Sequence, residues 1–455
     1  MLYLVLRAIN AVCLRWFYGR IDVEGLERLP ATGPLLLAVN HPNALVDSMV
    51  TAFVLKRRLT FTGRATLFTN PLRGAFLRSL GAVPLIRQRD LAALGASGDP
   101  SRNVGSFDAL IGALKRGGAS MIHPEGITGD HTSLAPLRTG AARIALQARD
   151  AGVRGLQLVP VGLTFERKDA PRTRVFVQVG EPMDIDTWPR VNAEQDARAM
   201  TAELDRRLRA VTLNFESADA SDRDRSLARL LARIFRGSEA VPEVWPPQTP
   251  MADQVAITRR IDEARTHLAN ATPAKRIRAE ALLDRLSAFS DDLRRHRMSV
   301  EDLEISLGVS EGTWFAVREA GVVIAGGPVA FWGWLNHWLP FHFAQTLALR
   351  GVESAADPAM QTMLIGIALV VAFYLVQGAL VWAVFGGAVA ILYVASLPIA
   401  ADITFAIRAR LRRALRRART YFHFRRDPAL QPRLGAELAW LRAEALVVEE
   451  LLSRG

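Results

Sequence analysis

Residues 34–47 read PLLLAVNHPNALVD, and this stretch carries the strongest structural and chemical signals of the chain. The apolar run Pro34–Asn40 predicts a buried strand. His41 precedes a proline, which holds its backbone extended at the exit of that strand. Pro42 suits the first position of a helix. A buried strand that leads directly into a helix is typical of an α/β layer fold.

His41 and Asp47 are six positions apart, so they would not share one face of a helix. Because His41 lies before the helix, the chain can fold back, and we expect Asp47 to accept a hydrogen bond from one imidazole nitrogen. The carboxylate would then fix the tautomer and leave the other nitrogen to take a proton. A single pair of this kind is weak evidence, because most histidines with a buried partner are structural.

The α/β pattern continues through residues 21–180, where short apolar runs alternate with helical stretches. The predicted strands are Pro34–Asn40, Leu59–Thr62, Ala82–Ile86, Ala119–His123, Leu156–Phe165 and Arg174–Gly180. The predicted helices are Ala44–Lys56, Leu72–Leu80, Asn103–Arg116 and Thr139–Ala151. Gly117 and Gly152 suit the ends of the last two helices, because glycine readily adopts the left-handed conformation found there.

Three further blocks accompany these strands: GAVPLIR at 81–87, HPEG at 123–126 and VPVG at 159–162. In open α/β sheets, ligands bind at the carboxyl ends of the strands, so we expect His41, Arg87 and Glu125 to converge there. Taken singly, Arg87 could form a surface salt bridge and Glu125 could be a helix N-cap partner.

Together with residues 40–47, these blocks resemble the glycerophospholipid acyltransferase superfamily, which includes glycerol-3-phosphate and lysophosphatidate acyltransferases. The resemblance covers roughly residues 20–185. It implies an α/β fold with a mixed β-sheet flanked by helices. The motif HPNALVD, the segment GRATLF at 63–68 and the run PLRTGAAR at 136–143 are similar to the glycerol-3-phosphate and dihydroxyacetone-phosphate acyltransferase branch. Two positions depart from the family pattern: His123 replaces the usual aromatic residue, and five residues separate His41 from Asp47 instead of four.

The resemblance also implies roles for individual residues. His41 resembles the general base that deprotonates the acceptor hydroxyl, and Asp47 the group that orients it. The alkoxide would attack the acyl thioester directly, without a covalent acyl-enzyme. This agrees with the absence of an evident nucleophile, since Cys13, the only cysteine, has no convincing partner to activate it. Acceptor or phosphate binding is implied for Arg64, Arg87, Glu125 and Gly126, and shaping of the acyl or acceptor channel for Pro160.

The implied reaction is acyl transfer from acyl-CoA or acyl carrier protein to sn-glycerol 3-phosphate. One alternative is sn-2 acylation of lysophosphatidate to phosphatidate. An alternative of another class is a non-catalytic, lipid-binding membrane scaffold. Because no His, Cys, Asp or Glu cluster has metal-ligand spacing, we predict no metal and no cofactor beyond the acyl donor.

Charge indicates a polyanionic partner, since 57 Lys and Arg residues oppose 45 Asp and Glu residues and give a net charge of +12. Almost all of the positive charge is arginine. No recognisable DNA- or RNA-binding motif accompanies it, so we predict a lipid surface and no nucleic acid.

A membrane region is indicated by residues 359–401, a run of 43 residues without a formal charge. One helix needs about 20 apolar residues to cross a bilayer, so the run is long enough for a transmembrane hairpin. Gly378 and the pair Gly386–Gly387 are candidate turns. Residues 320–349 are apolar but interrupted, so they could span once or dip in and return.

Nine arginines follow the hairpin within Arg408–Arg426. Such clusters mark the cytoplasmic side and contact anionic head groups. We therefore expect a bacterial inner-membrane protein with a cytoplasmic catalytic domain.

The predicted organisation has five parts: an N-terminal amphipathic helix (1–20), the catalytic domain (21–190), a charge-rich helical region (191–318), the membrane region (319–407, with the hairpin at 359–402) and an Arg-rich segment with a closing helix (408–455). The first of these could lie in the membrane interface or pack on the catalytic core.

Overall fold

The computed structural model describes residues 2–86, 104–129, 132–168, 172–215, 227, 230–231, 251–269, 271–350 and 358–453. The chain divides into two compact units. The first contains residues 1–216 and 347–365, and the second contains residues 217–346 and 366–455.

The first unit is built on an eight-stranded sheet. Its strands are β1 (Arg20–Glu24), β2 (Leu35–Val39), β3 (Leu59–Arg64), β4 (Ala82–Leu85), β5 (Ala119–Ile122), β6 (Gln157–Phe165), β7 (Arg174–Val179) and β8 (Met183–Asp184). Their order is β1-β7-β6-β2-β5-β3-β4, with β8 paired to β6. Strands β2 to β6 run parallel to one another, whereas β7 and β8 are antiparallel to β6 and β1 follows β7. The sheet is therefore mixed, as predicted.

Helices connect these strands and supply much of the core. They are α1 (Leu2–Phe17), α2 (Leu45–Val54), α3 (Pro71–Ser79), α4 (Val104–Lys115), α5 (Gly140–Asp150) and α6 (Ala193–Ala210). Ile144 of α5 and Met200 and Leu204 of α6 are fully buried in one apolar cluster with β2 and β6. Because α6 completes this core, the first unit extends beyond the boundary at residue 190 that the sequence predicted.

The predicted elements of this unit are present with small shifts at their ends. Gly117 and Gly152 end α4 and α5 with φ values of 69° and 91°, the left-handed conformation expected of them. Strands β1 and β8 were not predicted. β1 has only five residues and three of them are charged, which weakens the hydrophobic pattern that identifies a strand.

Helix α1 packs on α2 with one face and leaves the other exposed. Arg7 donates to the carbonyl oxygen of Leu55 at 3.0 Å, and Asn10 to that of Met49 at 2.9 Å. The side of α1 that faces the protein buries Cys13, Leu14 and Phe17, whereas Leu4, Val5, Ile9 and Val12 are exposed. The structure thus supports core packing for one face, and the exposed apolar face remains available to an interface.

The second unit is helical where it is described. The helices of this part of the chain are α7 (Met251–Ala269), α8 (Pro273–Arg295), α9 (Val309–Arg350), α10 (Pro358–Phe385), α11 (Gly387–Arg426) and α12 (Leu430–Ser453). The end of α9 from residue 347 and the start of α10 up to residue 365 are grouped with the first unit. Leu286 of α8, Phe424 of α11 and Leu441 of α12 belong to one buried apolar cluster. The cluster thus brings together α8, which precedes the apolar helices, and α12, which follows them.

Three described helices, α9, α10 and α11, are long and apolar enough to cross a membrane. Gly386, with φ of 83°, separates α10 from α11 and makes the predicted hairpin turn, whereas Gly378 lies inside α10. Residues 320–349 belong to the continuous helix α9 despite Pro328 and Pro340.

Polar side chains tie these apolar helices together. The Tyr393 hydroxyl of α11 donates to Asn336 of α9 at 2.6 Å. The Glu319 carboxylate of α9 accepts two hydrogen bonds from the Arg410 guanidinium of α11. Bonds of this kind hold apolar helices in register, because lipid offers polar side chains no alternative partner.

Candidate functional site

Two neighbouring parallel strands, β2 and β5, end at the same edge of the sheet and deliver the candidate residues there. β2 ends at Val39, and the side chain of Asn40 continues its pairing with β6. Its Oδ1 accepts the Leu163 N–H at 2.7 Å and its Nδ2 donates to the Leu163 carbonyl oxygen at 3.1 Å. These two bonds fix the backbone position at which the chain leaves the sheet, and His41 is the next residue.

His41 and Asp47 form the hydrogen bond that the sequence predicted. Nδ1 of His41 lies 2.9 Å from Oδ2 of Asp47. The backbone N–H of Asn43 donates to the same oxygen at 2.7 Å. Asp47 has no exposed surface, while the side chain of His41 is 15% exposed. The buried carboxylate of Asp47 therefore orients the imidazole of His41, which is itself partly exposed.

The loop between strand and helix takes an unusual shape at Ala44. Its φ of 49° and ψ of −130° lie in a region that L-residues other than glycine rarely adopt. Ala44 lies between His41 and Asp47, so this conformation accommodates the five-residue spacing. Asn43 supports the loop from inside, since its Nδ2 donates to the buried Tyr18 hydroxyl at 3.2 Å.

Burial dominates the electrostatics of Asp47. Desolvation raises the pKa of its carboxyl to about 7, although His123, the Asn43 N–H and Lys168 act in the opposite direction. Among the described residues, none donates a hydrogen bond to its second oxygen, Oδ1. The ionised form of Asp47, which would accept the hydrogen bond from His41 most strongly, is therefore costly in the folded protein.

His123 lies against the imidazole of His41. The two ring centroids are 3.8 Å apart and the ring planes are inclined by 12°. Nδ1 of His123 is 2.9 Å from the Val39 carbonyl oxygen, which assigns the proton to that nitrogen. Burial, reinforced by His41, lowers the pKa of His123 to about 3, so this ring is neutral at physiological pH.

Glu125 connects the loops around His41. One carboxylate oxygen accepts the backbone N–H of His41 at 2.8 Å, and the other accepts that of Ala135 at 3.0 Å. Glu125 is buried, so these bonds give it a role in holding the backbone of His41. Neither bond is a helix N-cap. Acceptor binding by Glu125 stays a prediction.

Gly126 closes the turn that begins at His123. Its N–H donates to the His123 carbonyl oxygen at 3.1 Å, and its φ is 66°. A Cβ at this position would lie 2.9 Å from Cδ of Arg138. Both the backbone conformation and the close approach of Arg138 therefore require glycine.

Three further residues were predicted to belong to the site: Arg64, Arg87 and Pro160. Arg64 is the last residue of β3, at the carboxyl edge of the sheet, where it is opposite Leu85. Pro160 is buried inside β6, opposite Ala38. Arg87 lies outside the described residues. Binding roles for these three residues stay predictions.

Sequence reasoning assigned no role to several residues that support the pair: Tyr18, Asn43, Ala44 and Lys168. Asn43 and Ala44 lie inside the motif, so attention to its inner positions could have found them. Tyr18 and Lys168 are distant in sequence and carry no pattern that marks them. His123 was noticed only as a departure from the family pattern, and its contact with His41 was not foreseen.

Three comparisons with known proteins cover this region. Residues 20–164 match the family model described as Acyltransferase. A protein of Schizosaccharomyces pombe, described as an uncharacterized acyltransferase, is 22% identical, over 39% of this chain and 38% of its own length. The chain thus spans well under half of that relative. The 1-acyl-sn-glycerophosphate (LPA) acyltransferase PlsC from Thermotoga maritima is 20% identical, with a TM-score of 0.35, over 46% of this chain and 78% of that one.

We predict that Ala44→Gly stabilises the protein. Relief of an unfavourable φ/ψ is worth about 1–3 kcal/mol, against an entropic cost of about 0.5–1 kcal/mol for glycine. The expected result is a rise of about 2–4 °C in the melting temperature, measured by thermal unfolding in detergent. Ala145→Gly makes the same change in the regular helix α5 and should lower the melting temperature. If both variants lowered the melting temperature equally, the backbone of Ala44 would not be strained.

We predict that Asp47→Asn stabilises the protein increasingly as the pH rises. The folded-state pKa of Asp47, about 7, exceeds its ordinary value of 3.8. The native carboxyl therefore retains its proton longer than the unfolded one, and stability declines as the pH rises between these values. The asparagine cannot ionise, so its advantage in melting temperature over the wild type should be larger at pH 8 than at pH 5.

The matched control for this experiment is Asp108→Asn, at an exposed position of α4. Its difference in melting temperature from the wild type should stay constant over the same range. If Asp47→Asn behaved like this control, the carboxyl of Asp47 would not be the costly buried group described above.

Proposed function

We propose that residues 20–164, which match the Acyltransferase family model, form a glycerophospholipid acyltransferase domain, and that the chain transfers a fatty acyl group to the hydroxyl of sn-glycerol 3-phosphate. The observation that carries the proposal is the 2.9 Å bond between His41 and Asp47, with the imidazole partly exposed at the edge of the sheet. A histidine oriented in this way is suited to act as a general base on an alcohol.

The proposed reaction begins when the acceptor hydroxyl gives its proton to Nε2 of His41. Nδ1 keeps its own proton, which it shares with Asp47 in a hydrogen bond, so protonation of Nε2 makes the ring an imidazolium beside a carboxylate. The acceptor oxygen then forms a bond to the thioester carbonyl carbon. As the carbon–sulfur bond breaks, the thiolate leaves and takes the proton back from His41. This sequence needs no acyl-enzyme and restores the imidazole at its end.

The acceptor's phosphate needs positive charge near the pair. Arg64 stands at the carboxyl edge of the sheet, and Lys168 is close enough to lower the pKa of Asp47. Arg87, proposed as the phosphate ligand, follows β4 by two residues and lies outside the described residues. A guanidinium matches phosphate with two parallel hydrogen bonds, which makes the arginines the better candidates for this role.

Lysophosphatidate is the second candidate acceptor, because it carries the same phosphate and one free hydroxyl. The motif HPNALVD favours glycerol 3-phosphate, since it is similar to that branch of the superfamily. The acyl donor is proposed to be acyl-CoA or acyl carrier protein. A non-catalytic lipid-binding scaffold is the alternative of another class, and His41 distinguishes it from an enzyme.

Membrane association agrees with the three apolar helices. We propose that the first arginines after the apolar part of α11 contact anionic head groups. The segment Arg408–Arg426 is about 27 Å long as a helix, whereas each head-group layer is only about 5–8 Å thick. The later arginines therefore extend past the lipid. Within this segment Arg410 binds the carboxylate of Glu319, and Arg416 that of Asp302.

The packing of the second unit limits the membrane topology. Leu286 and Leu303 precede α9, Phe424 and Leu441 lie at or beyond the end of α11, and all four share one apolar cluster. Three complete crossings would place these two segments on opposite sides of the bilayer. We therefore propose an even number of crossings, with α10 and α11 as the spanning hairpin and the catalytic domain on the cytoplasmic side of a bacterial inner membrane.

We predict that His41→Ala lowers acyl transfer by at least about a hundredfold, the usual contribution of a general base. Membranes that contain the protein are offered labelled acyl thioester with either glycerol 3-phosphate or lysophosphatidate. Turnover of glycerol 3-phosphate is expected. The control His342→Ala removes an exposed imidazole of α9 and should retain the wild-type rate.

Each other outcome of this assay has a defined meaning. Turnover of lysophosphatidate alone would assign the enzyme to sn-2 acylation. A wild type that acylates neither acceptor, with a lipid-binding phenotype that His41→Ala leaves unchanged, would favour the scaffold.

We predict that Ser287→Cys in α8 and Ala443→Cys in α12 are labelled from the same side of the membrane. Both positions are exposed, and the background carries Cys13→Ser. Ala388→Cys, beside the hairpin turn, should be labelled from the opposite side. An impermeant maleimide applied to right-side-out and inverted vesicles measures this. Labelling of positions 287 and 443 from opposite sides would rule out an even number of crossings.

A further inference from the structure

We propose that His123 is a positioning residue, which holds the plane of the His41 imidazole through the stacked contact between the two rings. This inference rests on the proposed function, because it concerns the base of that reaction. The observation behind it is a centroid separation of 3.8 Å with ring planes only 12° apart.

A second constraint on His41 is needed because one hydrogen bond does not fix an imidazole. The contact between Nδ1 and Asp47 anchors one atom of the ring. The ring can still pivot about the line joining Nδ1 to the carboxylate oxygen, and such a pivot moves Nε2 away from the acceptor hydroxyl. A flat surface against the ring face removes this freedom. Misplacement of a reacting group by about 1 Å can cost about a hundredfold in rate.

His123 is itself held firmly, so it can serve as this surface. Nδ1 is bonded to the Val39 carbonyl oxygen at 2.9 Å, at the end of β2. Nε2 faces the Ser48 hydroxyl of α2 at 3.5 Å. The side chain thus contacts the strand that precedes His41 and the helix that carries Asp47. Its backbone also begins the turn that places Glu125 under the His41 N–H.

The charge of His123 suits the reaction as well. The stacked ring stays neutral, because burial keeps its pKa far below physiological pH. When His41 takes the proton of the acceptor, the new positive charge lies against a neutral aromatic face, which attracts a cation. A second imidazolium in the same place would repel it.

Two substitutions separate the stacked contact from every other property of His123. His123→Phe keeps a flat aromatic face and loses the donor to Val39, whereas His123→Leu loses both. Because the two variants are of similar size and equally unable to form the hydrogen bond, they form a matched pair. Both are made in the full-length protein, and thermal unfolding checks that they fold equally well.

The expected result is a difference in kcat. The Phe variant should stay close to the wild type, and the Leu variant should lose about tenfold or more, because its base is no longer held in plane. KM for the acceptor should be alike in the two, since neither variant alters a proposed phosphate ligand. Equal kcat values for Phe and Leu, whether both high or both low, would overturn the proposal.

A readout independent of turnover separates this inference from the proposed function. Modification of His41 by diethyl pyrocarbonate, located by mass spectrometry, should be as slow in the Phe variant as in the wild type and faster in the Leu variant. If the wild type transfers no acyl group but this pattern holds, the proposed function fails and the positioning contact stands. If transfer depends on His41 and the modification rates are equal, only the positioning contact fails.

Discussion

The candidate site depends on one buried carboxylate. Asp47 is fully enclosed, yet its ionised form is the stronger acceptor of the hydrogen bond from Nδ1 of His41. Burial opposes ionisation, and the fold offsets this only in part, through the Asn43 N–H and the nearby positive charge of Lys168. The irregular backbone at Ala44 adds a further cost. The site therefore combines two costs in stability with an oriented imidazole.

The sheet supplies the rigidity that this arrangement requires. β2 and β5 are adjacent and parallel, so His41 and His123 leave the same edge in the same direction. Glu125 then binds the backbone of His41, and the His123 ring covers its imidazole. His41 is therefore held by three contacts. Asp47 and His123 contact its imidazole, and Glu125 binds its backbone N–H. Strand ends suit this purpose, because the hydrogen bonds of the sheet fix where each loop begins.

The second unit combines apolar helices with a helical cluster. Residues before α9 and after α11 meet in that cluster, so the apolar helices between them begin and end near the same group of buried side chains. Polar pairs such as Asn336 with Tyr393 and Glu319 with Arg410 hold α9 against α11. Polar pairing thus accompanies apolar packing in this unit, since each pair joins side chains of two apolar helices.

The sequence by itself determined strands β2 to β7 and helices α2 to α5 of the first unit, the turn between α10 and α11 and the His41–Asp47 pair, because hydrophobic period, glycine and proline act locally. Only the tertiary structure revealed that His123 stacks on His41, that Glu125 holds a backbone N–H and that Tyr18 supports Asn43. These contacts join residues 25 to 84 positions apart. Their existence depends on strand order, and no local pattern encodes which strands become neighbours.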